Sequence, residues 1–151
     1  MAAAEKGHID CLKLLVRCGA NVNLAAKNGM TALMAAAGAR GNDDCLKALL
    51  LNSVESTVNA RNNTRSTALI IAAQKGKDTR VQLLLNAGAK VNLGDAWGNT
   101  PLIYAASGGH IDCVKVLLDG GAIVDHKARD GSTALIFAAQ QGKDICVKML
   151  L

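Results

Sequence analysis

One short pattern recurs along the chain at a nearly constant spacing, and it constrains the fold more than any other feature. The tetrapeptides TALM, TALI, TPLI and TALI begin at residues 31, 67, 100 and 133, which are 36, 33 and 33 residues apart. A pair of alanines follows each tetrapeptide, then a glycine, then an apolar segment. Self-similarity at such a period is typical of repeat arrays, in which each copy buries its apolar face against the next.

Each period predicts two short helices joined by a turn. A threonine opens the first helix, where its hydroxyl can cap free N–H groups, and Pro101 suits a first-turn position. The glycine after the alanine pair permits the left-handed turn that ends this helix. Segments such as IDCVKVLL then carry apolar residues on one helical face. The capping threonines are Thr31, Thr67, Thr100 and Thr133, and the second helices end at Gly19, Gly88 and Gly121.

The pattern resembles the ankyrin repeat family, whose period is 33 residues with the core motif TPLHxA. The resemblance covers essentially the whole chain and recurs in register. It implies an all-α solenoid of stacked helix-turn-helix units with projecting β-turn fingers. The 151 residues would form a single domain, divided into a partial repeat at 1–25, repeats at about 26–61, 62–94 and 95–127, and a partial repeat at 128–151.

Repeats two and three depart from the family pattern. Repeat two carries one extra residue around Gly38–Arg40 and two more near residues 52–57, so we expect non-standard loops there. In the third repeat Arg65 replaces the turn glycine, so that finger is expected to be strained or differently shaped. Met or Ile occupies the motif's histidine position throughout, at Met34, Ile70, Ile103 and Ile136.

The sequence GHIDC occurs twice, at residues 7–11 and 109–113, and raises the question of a reactive or metal site. Equivalent positions in stacked helices lie about 8–10 Å apart, too far for a disulfide or a shared zinc ion. We therefore predict small buried hydrophobic side chains at one repeated position, and an exposed thiol at Cys18. His8 and His110 are predicted to begin helices. The repeated cysteines are Cys11, Cys45, Cys113 and Cys146, and Arg80 takes their place in the third repeat.

No arrangement of catalytic residues is visible. No Ser-His-Asp or Cys-His set stands outside positions fixed by the repeat, and the GKD sequences at 76 and 142 lack the other residues of a phosphate loop. We predict that the chain is not an enzyme and has no catalytic residue, cofactor or metal site.

Composition limits the partners and the compartment. The net charge of +5 is dispersed, so it favours acidic partners without indicating nucleic acid. Five cysteines, an odd number, and the lack of a signal-like N-terminus indicate an intracellular protein, cytoplasmic or alternatively nuclear. No apolar stretch reaches the roughly 20 residues that span a bilayer, so membrane insertion is not expected.

Both ends of the chain fall inside a repeat, and neither shows a clearly polar outer face. Two explanations fit: the chain is a piece of a longer array, which we favour, or another copy covers its ends through end-to-end self-association.

The resemblance implies that partners contact the fingers and the exposed side of the first helices. Trp97 lies in a polar, glycine-flanked finger and is either an interaction hot spot or packs over the neighbouring finger. Tyr104 and Phe137 share the fourth position after the threonine, and either line a groove or pack between helices. Basic residues, with Lys6 among them, favour an acidic peptide. The predicted partner-binding residues are Trp97, Asn99, Tyr104, Phe137, Lys27, Met30, Arg40, Arg65, Lys75, Arg129 and Gln141.

Three function hypotheses follow from the sequence. The leading one is a non-catalytic module that binds a protein or peptide on its fingers and groove. The others are a nucleotide- or phosphate-sensing array and a spacer within a longer scaffold protein. The family resemblance also implies hydroxylation by asparaginyl hydroxylases at Asn23, Asn59 and Asn92.

Overall fold

A computed structural model of the chain describes residues 1–41, 43–53 and 55–151, except for the side chain of residue 55. The described residues form eleven helices and no strand. This all-α architecture is the predicted one. No helix in this part of the chain is long and apolar enough to cross a membrane.

The helices form two layers that run along the array. Consecutive helices of each layer pack on one another, and the two helices of each repeat pack together. The first layer contains α1 (Ala2–Lys6), α3 (Ala32–Gly38), α6 (Ala68–Gln74), α8 (Pro101–Gly108) and α10 (Ala134–Gln140). The second layer contains α2 (Ile9–Arg17), α4 (Asp44–Leu50), α7 (Asp78–Asn86), α9 (Ile111–Asp119) and α11 (Asp144–Leu150), and a short α5 (Glu55–Val58) follows α4.

Local chemistry explains why the first-layer helices begin and stack where they do. The hydroxyl of each predicted threonine accepts a hydrogen bond from the N–H three residues on, at 3.2–3.4 Å. The alanine pairs let neighbouring helices approach closely, and Ala72, Ala73, Ala105 and Ala106 are fully buried. The array is therefore held together by many small contacts between alanine, leucine, valine and isoleucine side chains.

Four tight turns project from the stack, at residues 26–30, 62–66, 95–99 and 128–132, and we call them fingers 1 to 4. In each finger the first residue's N–H donates to the carbonyl of the fifth, as from Ala26 to Met30 at 2.8 Å. Neighbouring fingers are joined by one backbone hydrogen bond each, from Asn63 to Asn28, from Ala96 to Thr64 and from Arg129 to Trp97, at 2.9–3.0 Å. The fingers thus form a continuous edge.

Repeat two contains the irregular loops that the extra residues predict. Helix α3 ends at Gly38, and Ala39 is extended, with φ −60° and ψ 156°. The buried side chain of Arg80 reaches back from α7 and donates to the carbonyls of Ala36 and Ala39 at 2.9 and 2.6 Å. At the other end of the repeat, α5 stands where the other repeats have a Gly-Ala turn.

One prediction needs correction. Cys45, Cys113 and Cys146 are buried as expected, but Cys11 is exposed. The carboxylate of Asp43, the residue before α4, accepts a hydrogen bond from Arg80 Nε at 2.6 Å.

Candidate partner-binding surface

The fingers and the exposed side of the first-layer helices form one surface, which we call the groove face. Seven predicted partner-binding residues are exposed, and four are half-buried. The exposed ones are Lys27, Arg40, Arg65, Lys75, Trp97, Arg129 and Gln141, and the half-buried ones are Met30, Asn99, Tyr104 and Phe137.

Trp97 is the most exposed aromatic side chain of the groove face, with 57% of its surface accessible. It is the third residue of finger 3. In fingers 1 and 4 the third residue is Asn28 or Asp130, whose Oδ1 accepts the N–H of the finger's fifth residue at 3.1 and 2.9 Å. In finger 3 Asp95 accepts that hydrogen bond instead, from Asn99 at 3.0 Å. The turn therefore does not depend on the side chain at position 97.

Asp95 also explains the position of Tyr104. The carboxylate is buried, and its Oδ2 accepts a hydrogen bond of 2.7 Å from the tyrosine hydroxyl. Burial and this bond raise the pKa of Tyr104 to about 12, while a hydrogen bond with the Asn99 side chain opposes the shift. The Tyr104 hydroxyl thus braces finger 3 from inside. Oδ1 of Asn99, by contrast, is buried without a hydrogen-bond partner among the described residues.

Finger 2 keeps the standard hydrogen bonds although Arg65 replaces the turn glycine. Arg65 adopts φ 61°, the left-handed region that glycine occupies in the other fingers, and its N–H donates to Asn62 at 2.8 Å. Finger 2 is therefore strained but not differently shaped. Arg61 braces it by donating to the carbonyls of Arg65 and Gly94. Burial, followed by the Arg65 charge, lowers the pKa of Arg61.

The half-buried Met30 and Phe137 lie near opposite ends of the groove face. Met30 packs against the core, and its sulfur accepts a hydrogen bond from Asn62 at 3.6 Å. It also lines a cavity of about 330 Å³ beside α3. Phe137 packs against the core in α10.

The three candidate hydroxylation sites differ in their surroundings. Asn59 donates to the carbonyl of Gly88 at 3.0 Å and accepts from the N–H of Lys90 at 2.8 Å. Asn92 makes the same two bonds one repeat later, with Gly121 and Ile123. Both side chains are half-buried and join successive repeats by hydrogen bonds, whereas Asn23 is exposed.

The residues of the GHIDC sequences have structural surroundings in the repeat array. His110 does not cap α9 with its side chain; its Nε2 lies 3.2 Å from the Gln74 carbonyl, and its ring packs where a Cβ on Gly76 would clash. All five cysteines lie in the described part of the chain and are free thiols. Among the described residues no group of His, Cys, Asp and Glu could hold a metal ion.

Sequence reasoning missed Arg80, Asp95 and the cavity beside α3. The sequence shows that Arg80 replaces the cysteine found at this position in the other repeats, but it does not show that the side chain binds main-chain carbonyls. The cavity had a signal in the fourth residue after each threonine, which is Ala35, Ile71, Tyr104 and then Phe137 along the array.

Comparisons with known proteins agree with this architecture. The family model for ankyrin repeats (3 copies) matches residues 1–95 and 69–151, which together cover the chain. The chain is also 33% identical over 91 residues to the ankyrin repeat and KH domain-containing protein mask-1 of Caenorhabditis elegans. That match covers 60% of the chain and 3% of the relative's length. With its two helical layers, capped first helices and fingers, the chain belongs to the ankyrin repeat family, whose members are generally protein-binding modules.

Proposed function

We propose that the chain is a non-catalytic module that binds an acidic segment of a partner protein along the groove face, with Trp97 as an anchor. The observation that carries this proposal is the exposure of Trp97 on finger 3. Asp95, and not the residue at position 97, accepts the hydrogen bonds that hold this finger. A largely exposed aromatic side chain that the hydrogen bonds of its own turn do not require has the properties of an interaction hot spot.

The charges of the groove face supply the preference for an acidic partner. Six exposed basic residues lie on the fingers or at the ends of the first-layer helices, and none forms an ion pair with another residue that the structure describes. Such a set steers an acidic segment and speeds its association at low salt. These residues are Lys6, Lys27, Arg40, Arg65, Lys75 and Arg129.

The test is cross-linking of the immobilised chain to partners, with identification of the linked peptides by mass spectrometry. Trp97→Ala should abolish capture, and Leu51→Ala, which removes an exposed apolar side chain at the end of α4, should leave it intact. Capture that survives Trp97→Ala would exclude Trp97 as the anchor, and a wild-type chain that captures no partner would support the spacer hypothesis. Salt-sensitive binding of a single-stranded oligonucleotide would support the phosphate-sensing hypothesis.

The same proposal extends to modification and compartment. Because Asn23 is exposed and Asn59 and Asn92 are bonded between repeats, we expect a hydroxylase to reach Asn23 first. Mass spectrometry after incubation with an asparaginyl hydroxylase would show which residue gains an oxygen. Five free thiols suit a reducing, intracellular compartment.

Self-association is a second proposal, carried by α10. Ile136 is 42% exposed, although its equivalents Met34, Ile70 and Ile103 are 1–2% exposed beneath the following repeat. We propose that a second copy covers this face at high concentration. Sedimentation should then show concentration-dependent dimers that Ile136→Lys removes; a monomer at all concentrations would exclude them.

A further inference from the structure

Large side chains occupy the groove face at one end of the array, and smaller side chains leave a cavity at the other end. The fourth residue after the threonine is Phe137 in α10 and Tyr104 in α8, but Ile71 in α6 and Ala35 in α3. The cavity of about 330 Å³ lies where these side chains are smallest. Its volume is at the lower end of the roughly 300–1,000 Å³ of small-ligand sites, a size suited to one side chain of a bound segment.

The lining of the cavity is mainly apolar and adaptable. Met34 and Ala35 form the α3 side, Ile71 closes it toward α6, and Met30 closes it from finger 1. Unbranched thioether side chains fit irregular apolar shapes and make favourable contacts with many of them. The cavity therefore suits an aliphatic side chain better than a polar one.

Two features hold the cavity in shape. A Cβ on Gly38 would lie 2.8 Å from Cγ2 of Ile71, so α3 and α6 approach too closely for a larger residue there. Beyond Gly38 the chain is fixed by Arg80, which donates to the carbonyls of Ala39 and Gly41 at 2.6 and 2.8 Å. A site held open before binding loses less conformational entropy when it is filled.

The rim of the cavity is mostly basic. Glu5 lines this cavity and also an adjoining one of about 440 Å³, which Lys6 and Arg40 line as well. Lys27 projects from finger 1, next to Asn28 in the lining of the first cavity. Three positive charges against the single carboxylate of Glu5 leave this end of the groove face positive, which complements an acidic segment.

We propose that this cavity receives one aliphatic side chain, leucine or methionine, of an acidic segment of the partner protein. The inference rests on the proposed function and adds the chemistry that the partner must carry: an apolar anchor flanked by carboxylates. Ala35 and Gly38 determine this specificity because they leave the space that bulkier residues fill elsewhere in the array.

The methionines of the chain provide the test. With ¹³C-labelled methyl groups, Met30 and Met34 report on the cavity, while Met149 at the far end is an internal control. The probe is a blocked peptide Glu-Glu-Asp-Leu-Asp-Glu-Glu, compared with the same peptide carrying glycine in place of leucine. The leucine peptide should shift Met30 and Met34 but not Met149, and should bind about tenfold or more tightly than the glycine peptide because a leucine side chain is buried.

A matched pair of variants locates the effect. Ala35→Phe copies the last repeat, which has Phe137 at the equivalent position. The finger of that repeat also begins with an alanine, because Ala128 of finger 4 corresponds to Ala26 of finger 1. It should fold and abolish the response of Met30 and Met34, whereas Phe137→Ala should keep it. If Ala35→Phe does not fold, Ile71→Phe fills the same cavity from α6.

The outcomes separate this inference from the proposed function. Equal shifts with the leucine and glycine peptides, or no methyl shift at all, would overturn the cavity's role. If the peptide moves only the indole N–H signal of Trp97, the single tryptophan, the groove-face proposal stands and the cavity proposal fails. If Met30 and Met34 respond while Trp97→Ala leaves partner capture intact, the cavity binds and the proposed anchor does not.

Discussion

Arg80 and Asp43 form an ion pair of 2.6 Å between α7 and the residue before α4, with the Arg80 side chain only 2% exposed. The rest of the guanidinium is bound by carbonyls of residues 36, 37, 39 and 41. Arg80 stands where other repeats have cysteine, one repeat after the loop that contains an extra residue. A buried cation is costly unless it is fully hydrogen-bonded, and the irregular loop supplies the acceptors that it needs. The insertion and the arginine therefore act as one unit.

Arg80→Cys restores the residue found in the other repeats and should nevertheless destabilise the protein. The substitution leaves the Asp43 carboxylate and several carbonyls without their donor, and losing one member of a buried pair costs about 3–5 kcal/mol. Urea unfolding monitored by circular dichroism measures the change. Asp43→Asn should cost less, about 1–3 kcal/mol, because Asp43 is partly exposed and Arg80 keeps its carbonyl acceptors. Additive effects of the two substitutions in the double variant would show that the pair is not coupled.

Sequence reasoning identified the parts of this fold that depend on local chemistry. The threonine caps, the alanine contacts and the helix pairs recur because each repeat solves the same packing problem. The acceptors of Arg80 could not be predicted, since they are main-chain carbonyls about 40 residues upstream that no side-chain pattern records. Likewise, the burial of Cys11 was wrongly predicted, because a repeated sequence position does not record how closely each copy is packed.

Arg65→Gly should stabilise the protein by about 0.5–1 kcal/mol. The left-handed φ of 61° destabilises the folded state by roughly 1–2 kcal/mol for a residue with a Cβ. Glycine removes this strain, but its greater conformational freedom in the unfolded chain offsets about 0.4–1 kcal/mol of the gain in stability. The substitution also removes the charge that lowers the pKa of Arg61. Thermal unfolding measures the effect, with Arg65→Ala as the control that keeps the Cβ. If both variants are equally stable, backbone strain is not the cause.

Only two of the five thiols should react in the folded protein. Cys11 and Cys18 are exposed, whereas Cys45, Cys113 and Cys146 are buried, and burial raises the pKa of all three buried thiols. Because the thiolate is the reactive form, a short treatment with a maleimide at neutral pH should label two sites, and treatment in urea should label five. Peptide mapping identifies them. Labelling of Cys113 in the folded state would show that its helix opens readily.

Stability should fall as the pH rises above about 9. Burial, followed by the charges of Asp78 and Asp112, raises the pKa of Cys113 to about 12 from 9.0. Between these values the unfolded chain releases a proton that the folded chain retains, so unfolding becomes easier by up to about 1.4 kcal/mol per pH unit. Urea unfolding at pH 7.5 and 10 should show a smaller pH effect in Cys113→Ala than in the wild type. Val114→Ala, a truncation of a neighbouring buried residue, should lower stability equally at both pH values.

The asparagines between repeats should contribute unequally to stability. Asn59→Ala removes the bond to the Gly88 carbonyl and leaves the N–H of Lys90 without this acceptor, which should cost about 1–3 kcal/mol. Asn92→Ala should cost a similar amount, because its two bonds to residues 121 and 123 are equivalent. Asn23→Ala alters an exposed side chain and should stay within about 0.5 kcal/mol of the wild type. Chemical unfolding of the three variants compares them under one condition. Equal losses at residues 23 and 59 would mean that the bonds between repeats are not what makes Asn59 and Asn92 stabilising.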